Sequence, residues 1–162
     1  MLGTSCGKST PTADPCASPA NGLYAESDSF ACRWERDLPS DHPCRFIPII
    51  PAEAILGRRL AIPGYTVNDR ICFNVSSENR EDRSDFNYSF VAGSDGQSKF
   101  QLATRTLTER IPNVGLAAAW DPKNRTLHVS TNTGYFWVQV PRITNPRAAA
   151  LKLVALALKR LG

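Results

Sequence analysis

Residues 114–161 read VGLAAAWDPKNRTLHVSTNTGYFWVQVPRITNPRAAALKLVALALKRL, and their hydrophobic period changes partway along. Val114–Trp120, Thr126–Thr131 and Tyr135–Val140 alternate or run apolar over strand-length spans. Asp121-Pro122-Lys123-Asn124 and Asn132-Thr133-Gly134 between them are turns by composition. Three strands joined by tight turns make a meander, and Pro141 ends it. From Pro146 the period is helical. Leu151, Val154, Leu158 and Leu161 recur on one face of a helix spanning Pro146–Leu161. Asn145 is placed to cap it, Pro146 sits where a missing N–H costs nothing, and Lys159 and Arg160 face the negative end of the helix dipole. Leu153 and Leu156 lie off that stripe, so Leu156 is expected to stay accessible between Lys152 and Arg160. An amphipathic helix needs a surface to cover, and the meander supplies one.

Upstream, Phe86–Ala92 and Lys99–Thr108 flank Gly93-Ser94-Asp95-Gly96, which reads as a hairpin. Phe86, Tyr88, Phe90 and Ala92 share one face of the first strand, and Asn87, Ser89 and Val91 the other. Tyr65, Val67, Ile71, Phe73 and Val75 form an extended run broken at Asn68-Asp69, followed by a polar loop from Ser76 to Asp85. Pro51–Leu56 predicts a short helix ending near Gly57. Residues 23–44 read as an irregular, cysteine-stapled segment and 1–22 as a flexible tether. The expected fold is α+β: one domain over 23–162, with an antiparallel sheet of about five to six strands packed by a C-terminal helix.

With 162 residues and 42% hydrophobic content, the chain can build a core without metal. Its net charge of +4 is spread along the sequence, with no basic stripe for nucleic acid. There is no run of about 20 apolar residues to cross a membrane. The first residues show no apolar core of an intact signal peptide.

Cys6, Cys16, Cys32, Cys44 and Cys72 all fall in the first half, with no CxxC and no second ligand pair for zinc. No metal or other cofactor is expected. Setting Cys6 aside leaves Cys16, Cys32, Cys44 and Cys72 as two disulfides, with three pairings open. Disulfides point to an oxidising compartment. Leu2-Gly3-Thr4-Ser5-Cys6-Gly7-Lys8-Ser9 resembles the end of a bacterial lipoprotein signal, where small residues precede an acylated cysteine and a polar tether follows. Gly3 stands where that pattern favours leucine. The resemblance implies a lipid anchor at Cys6. The same residues fail as a phosphate-binding P-loop, whose glycines are spaced one residue further apart. Asn74-Val75-Ser76, Asn87-Tyr88-Ser89 and Asn124-Arg125-Thr126 are N-glycosylation patterns.

No set of residues specifies a reaction. His128 alternates with Leu127 and Val129 and is expected at an exposed strand position, while His42 lies in a loop beside Cys44. A Cys44–His42 nucleophilic pair would need a free thiolate. Thr133–Val140 is similar in part to the RNA-stacking strand of an RRM, yet lacks its leading basic residue and last aromatic. On that strand Phe136, Val138 and Val140 share one face and Tyr135, Trp137 and Gln139 the other. Tyr135 and Trp137 are therefore candidate binding residues, if no second layer covers them. The expectation is a non-enzymatic periplasmic, envelope or secreted module of the immunity, inhibitor or assembly-accessory type. Its partner is another protein, and it touches a membrane only through the anchor. A small hydrolase-like enzyme with a dispersed site and a viral or eukaryotic extracellular structural domain are the alternatives.

Overall fold

The computed structural model describes residues 26–60, 65–67, 70–74 and 86–161. In chain order these form α1 (Glu26–Asp37), a 3₁₀ turn (Pro43–Arg45), α2 (Ile49–Leu56), β1 (Tyr65–Val67), β2 (Ile71–Asn74), β3 (Phe86–Ala92), α3 (Gly93–Thr104), β4 (Ala117–Asp121), β5 (Thr126–Ser130), β6 (Gly134–Gln139) and α4 (Pro146–Leu161). Among the described residues one six-stranded sheet has the order β1-β2-β3-β6-β5-β4, every pairing antiparallel. The expected α+β architecture, the C-terminal meander and the closing helix are all present.

The meander's first turn is built by Asp121, whose Oδ1 accepts from the backbone N–H of Lys123 (3.0 Å) and Asn124 (3.1 Å). Side-chain parity then sorts the sheet into two faces. Phe86, Tyr88, Ala118, Trp120, Leu127, Val129, Phe136 and Val138 form one, and all belong to the main core. α4 packs there, with α2 against it. Tyr88 pays little for burial, because its hydroxyl donates to Cys44 O at 3.0 Å. The Cys44–Cys72 disulfide, both residues fully buried, ties the 3₁₀ turn to β2.

The helix orientation differs from the sequence expectation. α4 buries Ala149, Ala150, Leu153, Val154 and Ala157, while Leu151, Leu156, Leu158 and Leu161 are only half-buried. Alanines let the helix approach the sheet closely, so the contact stripe runs through small residues. Reading only the leucines rotated the helix. Asn145 precedes the helix at φ 57°, and its carbonyl accepts the first helical bond, from Ala149 N at 3.2 Å.

Two further elements depart from expectation. Gly93-Ser94-Asp95-Gly96 opens α3 instead of closing a hairpin, and Lys99–Thr104 continues that helix. The buried positions of α3 are Gly96, Phe100 and Thr104. Their fourfold spacing is helical, but only one of them is apolar, so the hydrophobic signal was faint. A Cβ at Gly96 would meet Val91 O at 2.1 Å and Tyr135 N at 2.8 Å, which is why the helix can lie directly on the sheet backbone. Residues 26–37, expected to be irregular, form α1. Glu35 on α1 is buried, accepts a hydrogen bond from Ile49 N at the start of α2, and lies 3.5 Å from the Arg160 guanidinium of α4. One carboxylate thus joins three helices. The tether expected over 1–22 lies outside the described residues.

Candidate functional site

Gly115 has φ 58°, and a Cβ there would sit 2.4 Å from Ser130 O. The chain therefore enters β4 pressed against the end of β5, and Leu116 N donates to Ser130 O at 2.8 Å. Leu116 itself is 64% exposed. Beside it lie Leu158 and Leu161 from the last turns of α4, and Thr131, Asn132 and Thr133 from the β5–β6 turn. Together these enclose an open groove of about 470 Å³.

The turn that walls this groove is braced from the opposite side of the sheet. Gly134 N donates to Thr131 Oγ1 (3.0 Å), Gly93 N to Thr133 O (2.8 Å), and Gln97 Nε2 to Thr131 O (2.8 Å). Gln97 also accepts from the Ser130 hydroxyl at 2.7 Å. The groove offers leucine walls with a rim of threonine and asparagine. That arrangement suits an apolar side chain presented on a polar backbone, the usual layout of a protein contact.

The second cluster lies under α3. His128 faces away from Leu127 and Val129 as expected, but it is 9% exposed because α3 roofs this face. Its Nδ1 is 2.6 Å from the Tyr135 hydroxyl, with the rings stacked at 14°. Phe100 of α3 meets Tyr135 edge-on at 5.9 Å. Burial lowers the His128 pKa, with Asp121 pulling the other way. Burial also drives the Tyr135 phenol well above its ordinary value. For Asp121, burial raises the pKa, but hydrogen bonds from Asn124 and Lys123 and the nearby His128 outweigh it, leaving the carboxyl below its ordinary value.

Of the two candidate binding residues, Tyr135 is 5% exposed and Trp137 is half-buried, so the second layer largely covers them. Cys44 is oxidised, and His42 spends its Nδ1 accepting from Cys44 N at 3.2 Å, so the two make no nucleophilic pair. Cys44–Cys72 supplies one pairing, and Cys32 is disulfide-bonded as well. Cys6 and Cys16 lie outside the described residues. Asn87 is 6% exposed and donates to Gln139 Oε1 at 3.0 Å, so a glycan there is incompatible with this fold. Asn124 is exposed in its turn. Among the described residues no group of three or more His, Cys, Asp or Glu could hold a metal ion, and no helix is long and apolar enough to cross a membrane.

Sequence reasoning missed the groove. Leu116 read as one more strand residue, and only the neighbouring Gly115 hinted that the chain bends there. No protein-family model, curated protein or solved structure matches this chain.

Proposed function

We propose that this protein is an extracytoplasmic binding module that docks another protein through the groove at the end of α4. The observation that carries the reading is Leu116, a large apolar side chain 64% exposed beside two half-buried leucines. Water-exposed apolar walls on a braced frame are suited to association, since covering them releases hydration at about 25 cal/mol per Å². The α4 sequence carries four basic residues and no acid. Arg147 and Arg160 pair with Glu109 and Glu35, while Lys159, next to Leu158, is exposed, so the matching partner segment is an apolar side chain beside a carboxylate. The Cys44–Cys72 disulfide and the oxidised Cys32 support an oxidising compartment, and the Cys6 segment supports tethering at the envelope.

A photo-crosslinking amino acid placed at Leu116 in cells of the native source tests this, with the exposed Ser98 on α3 as the control position. The expected result is one discrete protein adduct from position 116 and none from 98. No adduct at 116, or the same products from both positions, contradicts the proposal.

A further inference from the structure

We propose that the His128–Tyr135 pair is a proton-operated latch: neutral His128 holds α3 on the sheet, and protonating it releases α3 together with the turn that walls the groove. The latch stands on its own geometry. Only its consequence for partner docking rests on the function proposed above.

The hydrogen bond has a fixed direction at neutral pH. The Tyr135 phenol keeps its proton, so at 2.6 Å it donates and His128 Nδ1 accepts. An acceptor Nδ1 requires the neutral imidazole with its proton on Nε2. In the imidazolium both ring nitrogens donate, so the bond would have to reverse, with Nδ1–H donating to the Tyr135 oxygen. The hydroxyl hydrogen would then have to turn away, and Tyr135 Oη has no second partner among the described residues. Protonation therefore leaves a buried hydroxyl hydrogen without an acceptor and a charged ring under α3, and the low-dielectric layer makes both costly.

The charge around His128 offers little compensation. On β4, Asp121 is the carboxylate that acts on it, and its oxygens already accept from Lys123 and Asn124. On β6 the neighbours are Tyr135, Trp137 and Gln139. On β3 they are Asn87, Ser89 and Val91, all uncharged. Arg110 bridges to Ala119, the cross-strand partner of His128, but is exposed and donates to Thr104 O. The charged residues of α3 and its end, Asp95, Lys99 and Arg105, are exposed. Burial lowers the imidazole pKa despite Asp121. The sign follows: the unfolded or open chain binds the proton more readily, so the closed state is favoured above the ordinary imidazole value and weakens as pH falls below it.

α3 is also the layer that can move without breaking the molecule. Phe100, Tyr135 and His128 lie outside the main core cluster, which sits on the other face of the sheet. Opening α3 therefore leaves the α4 packing intact, as a local unfolding event. It does remove Gln97 from Thr131 O and Ser130, and Gly93 N from Thr133 O. Those are the braces of the groove wall.

Hydrogen exchange on the intact chain, corrected for intrinsic rates, tests the latch at about pH 7.5 and about pH 5. Protection over residues 93–104 is expected to fall at least about tenfold at the lower pH while 149–157 keep theirs. The His128→Gln variant retains an acceptor without titrating, and should show no such fall. In the unmodified protein, the midpoint of the loss should coincide with the His128 titration followed by NMR, which keeps the test available if the variant fails to fold. No change at residues 93–104, an equal loss at 149–157, the same loss in His128→Gln, or a midpoint in the carboxylate range would overturn the proposal. Partner binding enters none of these readouts, so the latch and the docking groove can fail separately.

Discussion

Leu153 and Leu158 occupy the same helix five residues apart, and replacing each by alanine should have very different consequences. Leu153 is fully buried in the main core; Leu158 only packs against its edge. Leu153→Ala removes three buried carbons, worth about 2.4 kcal/mol at roughly 0.8 kcal/mol each. The space left behind adds a cavity cost, bringing the loss to about 3–4 kcal/mol. Leu158→Ala removes atoms that are already partly hydrated and should cost about 1 kcal/mol. Alanine is the best helix former, so neither change weakens the helix itself and the difference reports packing. At this chain length about 2–4 °C of Tm accompanies each kcal/mol, giving about 6–16 °C for Leu153→Ala and about 2–4 °C for Leu158→Ala. Thermal and urea unfolding followed by circular dichroism measure both. If Leu158→Ala costs as much as Leu153→Ala or more, the helix sits on the sheet through the leucine stripe and the orientation argued here is wrong.

Two other changes probe the remaining joints. Cys44→Ala with Cys72→Ala opens a cross-link spanning 28 residues, for which loop entropy predicts about 3.5 kcal/mol of lost stability; denaturation of the double variant beside the oxidised parent should show that gap, and equal stabilities would refute it. Gly96→Ala should destabilise by about 1–3 kcal/mol despite its better helix propensity, because the new methyl meets backbone atoms that cannot swing aside. Its signature is hydrogen-exchange protection lost over α3 while α4 keeps its own, and unchanged protection over α3 would contradict the close approach described for Gly96.

Much of this architecture was legible because long apolar periods survive tertiary packing. β3 and β5 alternate, β6 is an apolar run of strand length stopped by Pro141, and α4 keeps a helical period over its 16 residues. The readings that failed share a cause, which is that contact was made by small or polar residues. α3 buries Gly96 and Thr104 as well as Phe100, so its hydrophobic period is weak and its GSDG opening passes for a hairpin turn. α4 docks through Ala149, Ala150 and Ala157, which carry little weight in a hydrophobic pattern. α1 belongs to the fold through Glu35, a carboxylate whose burial depends on Ile49 N and Arg160, partners far away in sequence. His128 looked exposed for the same reason: its covering layer was the helix that had been read as a strand. The groove at Leu116 arises from a backbone bend at Gly115 and from the ends of two distant elements, and no local pattern encodes that meeting.

The protein is an oxidised α+β module stapled between its 3₁₀ turn and its second strand. Peptide mapping of the chain isolated from its native source, alkylated and digested with trypsin without reductant, tests it most directly. Residues 37–45, carrying Cys44, should be recovered joined to residues 71–80, carrying Cys72. Recovery of both peptides separately, with Cys44 and Cys72 alkylated as free thiols, would contradict the staple and the compartment inferred from it.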